Sequence, residues 1–232
     1  MKWGQLHSAI SHDVRTPLTA LIGLAESLQH SSPLLNAQQA EMASAMAGQA
    51  RQLSALVTNL LDMARLQDGG INLRKDWQSP QEVVGSSIRA AQHALQGSAV
   101  HTDVPDDLPL VAFDSVLMER VLVNLLENAV KYGAAPILIK ASVTPDALVF
   151  NVRDHGPGLP AVLNGRESEL FDKFTRGNTE SVTPGVGLGL AICKAVVEAH
   201  RGQISASNAQ GGGAQFSVVL PRQQPPALAL TE

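Results

Sequence analysis

Cysteine occurs once, at Cys193, so the chain holds no internal disulfide and no cysteine-built zinc site. Aromatic residues are scarce, 3% of 232 residues, which argues against base-stacking nucleic-acid modules. Positive charge is not in excess. Lys+Arg number 17 against 21 Asp+Glu, a net charge of −4, and the two signs are interspersed, so no phosphate-tracking basic face is expected. Long apolar runs are missing too. None approaches the roughly 18–20 residues of a membrane span, and the N-terminus lacks the apolar core of a signal peptide. What is present, 44% hydrophobic and 16% charged residues, fills a core. These features predict a soluble, cytosolic chain or the soluble part of something larger.

Glycine and proline are scarce in one part only. Residues 1–68 hold three of the 19 glycines and two of the 13 prolines. The shift at Gly69-Gly70 predicts long helices first and a mixed α/β domain after them. Three segments are expected: 1–68, 69–222 and a poorly ordered tail, 223–232, containing Pro225-Pro226.

Two helical patterns fill the first part. Met42, Met46, Gln49, Leu53, Leu56, Leu60 and Met63 alternate spacings of four and three, a heptad stripe sustained over three repeats. Val14, Leu18, Leu21, Ala25 and Leu28 follow the same alternation. Ser31-Ser32-Pro33 breaks the pattern between them, which predicts an antiparallel helical hairpin. One hairpin does not fully bury two narrow seams. Two hairpins paired into a four-helix bundle do, so a homodimer is expected; a hairpin packed on its own C-terminal domain is the alternative.

The second part alternates strands and helices. Strands are predicted at 71–77, 100–104, 137–143 and 148–153, and helices at 80–95, 114–132 and 188–200. A hairpin of 203–207 with 215–220 closes the domain. Asp114 is the expected N-cap of the longest helix, and Gly133 lies just past its end.

With Val14 and Leu18 on the seam, His12 faces solvent, Thr16 lies one turn on and Asp13 is beside it. Most exposed histidines simply titrate near neutrality. His12 differs by its setting, Ser11-His12-Asp13-Val14-Arg15-Thr16-Pro17-Leu18. Pro17 removes a backbone donor and bends the helix just past His12. A neutral imidazole is a good nucleophile, and Asp13 is placed to orient it by accepting the other ring N–H. Thr16 is placed to position a water for hydrolysis of a phosphorylated group. This octapeptide resembles the H-box of sensor histidine kinases of two-component systems, which usually carry Leu where Val14 stands.

Three further motifs lie in the second part. Asn124-Leu125-Leu126-Glu127-Asn128-Ala129-Val130-Lys131-Tyr132 puts Asn124, Asn128 and Lys131 on one helix face. An amide oxygen suits Mg²⁺ and a lysine suits phosphate, though the pattern equally fits a polar face with a satisfied Asn. Asp154-His155-Gly156-Pro157-Gly158 follows a strand. Its carboxylate suits the exocyclic amine of adenine, or it is an ordinary strand-to-loop turn. Gly185-Val186-Gly187-Leu188-Gly189-Leu190 opens a helix, where glycine-loop N–H groups attract phosphate; it fits neither the dinucleotide nor the Walker A spacing.

In this order the three motifs resemble the N, G1 and G2 boxes of the Bergerat ATP-binding fold of histidine kinases, gyrase, HSP90 and MutL. Phe171-Asp172-Lys173-Phe174 resembles the kinases' F-box, and residues 161–184 would be the ATP lid. Asn124 stands where gyrase-type ATPases carry a catalytic Glu, which argues for transfer to a protein acceptor rather than ATP hydrolysis. Leu60 to Gln67, Gly69-Gly70, Phe171 to Asn178 and Val186 to Cys193 resemble one group of the family, the sensors of potassium limitation and osmotic stress.

The resemblance implies a dimeric four-helix bundle followed by an α/β sandwich of the Bergerat type. It implies Mg²⁺-ATP as phosphoryl donor, with adenine on Asp154, the metal on Asn128 and phosphates near Lys131 and residues 185–189. Tyr132, Gly156, Gly158, Phe171, Lys173, Phe174, Arg176, Leu188 and Leu190 complete the implied ATP site. His12 would be the phosphoacceptor, a response-regulator receiver domain the partner, and response-regulator phosphatase activity a second capacity. A phosphatase-dominant enzyme and a nucleotide-binding scaffold without kinase activity are the alternatives. Such kinases carry sensor modules and membrane helices before this core, so the chain is expected to be an excised cytoplasmic fragment of a bacterial inner-membrane protein, itself without membrane contact.

Overall fold

The computed structural model describes residues 73–172 and 188–223, together with scattered helical residues between 19 and 57. The chain divides into two units, Met1–Gly70 and Ile71–Glu232. In the first, residues 41–50 are helical. Ala43 and Ala47, one turn apart, are buried, whereas Met42 and Met46 of the heptad stripe are 60% and 55% exposed. Leu53 and Leu21, also stripe residues, are about half exposed. Among the described residues of this unit the buried side chains are thus small, and the described stripe residues are exposed; Val14, Leu18, Ala25, Leu28, Leu56, Leu60 and Met63, and the break at 31–33, lie outside the described residues. The expected tail, from residue 224 on, lies outside the described residues.

The second unit begins with β1 (Asp76–Gln78) and α1 (Pro80–Ala90). Ser79 caps α1 by accepting the Glu82 N–H at 3.2 Å, and Pro80 occupies a first-turn position that needs no donor. α1 is shorter than the expected 80–95. Its end tightens as Gln92 N–H donates to the Arg89 carbonyl, three residues back, and turns run on to Gly97 at φ +79°. β2 (Val100–Asp103) and β3 (Val111–Phe113) follow. β3 was not expected: three residues are too few to carry a period.

α2 (Ser115–Tyr132) starts at Asp114, whose Oδ1 accepts the Leu117 N–H at 3.1 Å, and stops before Gly133. β4 (Ile137–Val143) and β5 (Ala147–Arg153) form a hairpin. Two short 3-10 turns, Ala161–Leu163 and Glu167–Phe171, occupy the start of the expected lid. α3 (Gly189–Ala199), β6 (Gln203–Asn208) and β7 (Ala214–Pro221) complete the unit. Between α3 and β6, Arg201 takes a left-handed conformation at φ 62°.

Five strands form one sheet in the order β2-β4-β5-β7-β6, parallel between β2 and β4 and antiparallel elsewhere; β1 and β3 pair as a separate ribbon. The period of two sorts the faces. Ile139, Phe150 and Val218 are buried, while Lys140, Asn151 and Ser217, in register with one another, sit on the opposite face. α2 buries Met118, Leu122, Leu125 and Leu126, and α3 buries Ile192, Val196 and Val197. Each such large apolar side chain contributes about 1.5–3 kcal/mol over leaving it in water. Phe113 meets Phe150 edge to face at 6.4 Å. Cys193 lies fully inside, and burial pushes its thiol up to about 12. The unit is the expected α/β sandwich, one helical layer on one sheet.

Candidate functional site

α2 is the strut on which the site is built. Asn124, Asn128 and Lys131 share one of its faces. Asn124 donates from Nδ2 to the Arg120 carbonyl at 3.1 Å. Its Oδ1 turns to α3, where a Cβ on Gly189 would come within 2.9 Å. A side chain at Gly189 would displace the Asn124 amide from this position. Asn128 is half-buried, and Lys131 Nζ lies 5.1 Å from the centroid of the half-exposed Tyr132 ring. Glu127, between the two asparagines, has its carboxyl held above the usual range by desolvation and drawn partly back by Lys131.

Asp154 directly follows β5 and is 4% exposed. Its Oδ1 accepts N–H bonds from Gly156 at 2.8 Å and Ala214 at 3.2 Å. Oδ2 accepts none among the described residues. Any Cβ on Gly133 would overlap the Asp154 carboxyl, and one on Gly156 would come within 2.6 Å of the Gly133 Cα. The end of α2 and the 154–158 turn therefore meet backbone to backbone. His155 secures the junction: its N–H donates to the Ala134 carbonyl at 2.9 Å, and its Nδ1 lies 2.6 Å from the Pro136 carbonyl. Gly158 lies beside Asn208, whose Oδ1 accepts the Leu159 N–H at 2.7 Å.

Phe171 is buried edge to face against Phe216 at 6.4 Å, and Asp172 lies 3.9 Å from Lys194 of α3. Leu188 is buried just before α3, and Gly189 and Leu190 form its first turn. The structure thus brings together Asn124 with Gly189, and Gly156 with Asp154 at the end of α2. His12, Asp13, Thr16, Lys173, Phe174, Arg176, Gly185 and Gly187 lie outside the described residues. Sequence reasoning passed over Glu127, Asn208 and the packing role of Gly133. Gly133 was legible only as a helix stop, and nothing in the sequence ties Asn208 to a turn 50 residues earlier.

A buried carboxylate with one free oxygen, edged by glycines, suits a flat ring bearing an amine. Mg²⁺ takes oxygen ligands and keeps several waters and phosphates. Among the described residues no three His, Cys, Asp or Glu side chains gather. A single half-buried amide, Asn128, fits a metal carried in by a nucleotide.

Two family models match the chain. The His Kinase A (phospho-acceptor) domain matches residues 2–69, and the histidine kinase-, DNA gyrase B- and HSP90-like ATPase matches residues 113–224. The sensor protein KdpD of Escherichia coli K12 is 49% identical over 96% of this chain and 25% of its own length. KdpD of Clostridium acetobutylicum is 34% identical over 93% of this chain and 24% of its own. The chain thus spans about a quarter of these relatives. Among solved structures, full-length ShkA in complex with AMPPNP matches with TM-score 0.72 at 27% identity, over 96% of this chain and 47% of that one. The Acinetobacter baumannii histidine kinase AdeS matches with TM-score 0.64 at 25% identity, over 92% and 98%. A phosphoacceptor domain followed by this ATPase domain, matched together over more than three quarters of the residues, places the chain in the histidine kinase family.

Proposed function

We propose that the chain autophosphorylates His12 from Mg²⁺-ATP and passes the phosphoryl group to an aspartate of a response regulator of the KdpE type, in signalling of potassium limitation or osmotic stress. Residues 1–68 serve as the dimerisation and phosphotransfer domain and 69–222 as the ATP-binding domain. The observation that carries this reading is Asp154, buried with one oxygen spent on the protein and one left over. Adenine's amine donates to that oxygen. Asn128 holds Mg²⁺, which neutralises phosphate charge, and Lys131 faces the phosphates. Catalysis of this kind is mostly positioning and charge stabilisation. The identity to KdpD supports the choice of regulator and stimulus.

The outward stripe of Met42 and Met46 supports a homodimer built on a second copy. Light scattering at micromolar concentration should give about twice the 24.5 kDa chain mass; a monomer there sinks the dimer. The kinase itself is tested with γ-labelled Mg²⁺-ATP. Label should enter as acid-labile, base-stable phosphate in the wild type and not in His12→Gln, whose nucleotide affinity should stay unchanged. Label persisting in His12→Gln moves the acceptor elsewhere, to His7 first.

A further inference from the structure

We propose that His200 is a positioning residue of the nucleotide site: as a neutral imidazole it clasps the far ends of α2 and α3 together, and its protonation releases them. This rests on the nucleotide-binding reading of the second unit. His200 directly follows α3 and is 2% exposed. The backbone N–H of Asp114 donates to its Nε2 at 3.0 Å, and its Nδ1 lies 2.8 Å from the Val196 carbonyl. An amide N–H only donates and a carbonyl only accepts. The partners therefore fix the tautomer: Nδ1 carries the proton and Nε2 is the acceptor. One ring joins the N-cap of α2 to the last turn of α3.

The two helices run antiparallel. Asp114 meets His200 at one end, Cys193 Sγ lies 3.9 Å from the Val121 carbonyl between, and Asn124 faces Gly189 at the other end. Along either helix the two pins stand about 15 Å apart. Losing the His200 pin leaves α3 free to tilt on α2. The contact that tilt disturbs is Gly189 on Asn124, inside the nucleotide site. His200 thus acts on nucleotide without touching it.

Among the described residues two charged groups act electrostatically on the ring: Lys75 from the segment before β1, which opposes its protonation, and the Asp114 carboxylate at the start of α2, which favours it. Both Asp114 oxygens already accept N–H bonds, from Leu117 at 3.1 Å and Arg74 at 2.9 Å. Lys75 opposes a second positive charge. An imidazolium would also set its Nε2–H against the Asp114 N–H, donor against donor. Burial, foremost, holds His200 below its usual value, with the Val196 carbonyl and Asp114 pulling back. The sign follows. Above about pH 6.5, where an unfolded histidine is neutral, the clasp is fully present. As the pH falls below that, the released form takes up a proton the clasped form excludes, so the clasp weakens on acidification.

The test is ADP binding to the whole 232-residue chain by calorimetry between pH 8 and 5.5. Wild type is compared with His200→Gln, which keeps an acceptor but takes no proton, and with His200→Leu. ADP titrates identically in all three. Wild-type affinity should fall by about tenfold more than that of His200→Gln across the range, the scale of one unit of coupled protonation. The Gln variant should bind within about threefold of wild type at pH 8, and His200→Leu about tenfold more weakly, with the Asp114 N–H left unpaired. Nitrogen-15 shifts of His200 at pH 7.5 should report a neutral ring protonated at Nδ1. Superimposable pH profiles for wild type and His200→Gln, or an imidazolium at pH 7.5, overturn the clasp. Absence of wild-type ADP binding at pH 8 overturns the nucleotide reading and the clasp with it, an outcome distinct from binding that lacks the His200-dependent slope.

Discussion

Asp114 and Asp154 are both buried, at 7% and 4% exposure, and both anchor backbone N–H groups, yet they do opposite work. Asp114 spends one oxygen on Leu117 and the other on Arg74, and its own N–H on His200. Asp154 spends a single oxygen, on Gly156 and Ala214. A buried carboxylate is costly to leave unsatisfied. Asp114 meets that cost wholly within the fold. Asp154 meets half of it among the described residues, and its second oxygen is the one proposed to accept adenine. Burial does not separate these two acids; the count of occupied oxygens does.

The comparison breaks most sharply at Asp114. Asp114→Ala removes a cap and leaves the Arg74 N–H without its acceptor, so stability should drop by about 2–4 kcal/mol in urea unfolding. Nucleotide affinity of the folded fraction should change by less than about threefold. Asp154→Asn should do the reverse. Its amide oxygen still accepts from Gly156 and Ala214, so stability should hold within about 1 kcal/mol. Its NH₂ opposes the adenine amine, so calorimetry should find binding weaker by about 1.5–3 kcal/mol. If Asp154→Asn unfolds the domain and spares affinity, the two aspartates are of one kind. The smallest effect belongs to Arg201→Gly, next to the clasp. Relief of a left-handed arginine at φ 62°, partly offset by the freer unfolded chain, should raise stability by about 0.5–1 kcal/mol. Thermal denaturation checks this, and affinity should not move.

What the sequence disclosed depended on how local the cause was. The bounds of α2 followed from Asp114 and Gly133 because caps act within a turn. The face of Asn124, Asn128 and Lys131 followed from helical spacing. Asp154 stood out as a candidate because the glycines of its motif stand two and four residues away, although of these only Gly156 bonds to its carboxylate. β3 escaped because three residues show no period, and α1 came out short because alanine and leucine favour helix whether or not a turn is forming. His200 and Asn208 escaped for another reason. Their partners, Asp114 and Leu159, lie 86 and 49 residues away and meet them only once the domain folds. A lone histidine past a helix end gives no sign of that.

The buried thiol of Cys193 has a practical use. It lies between α2 and α3, beside the Val121 carbonyl, and at about 12 its ionisation is far from neutral pH. An alkylating reagent needs the thiolate and needs access. In the native chain it finds neither, and it gains both when the helix pair parts. The rate of alkylation therefore serves as a clock for that opening. Cys193 is also the chain's lone sulfhydryl, so the clock ticks against no background.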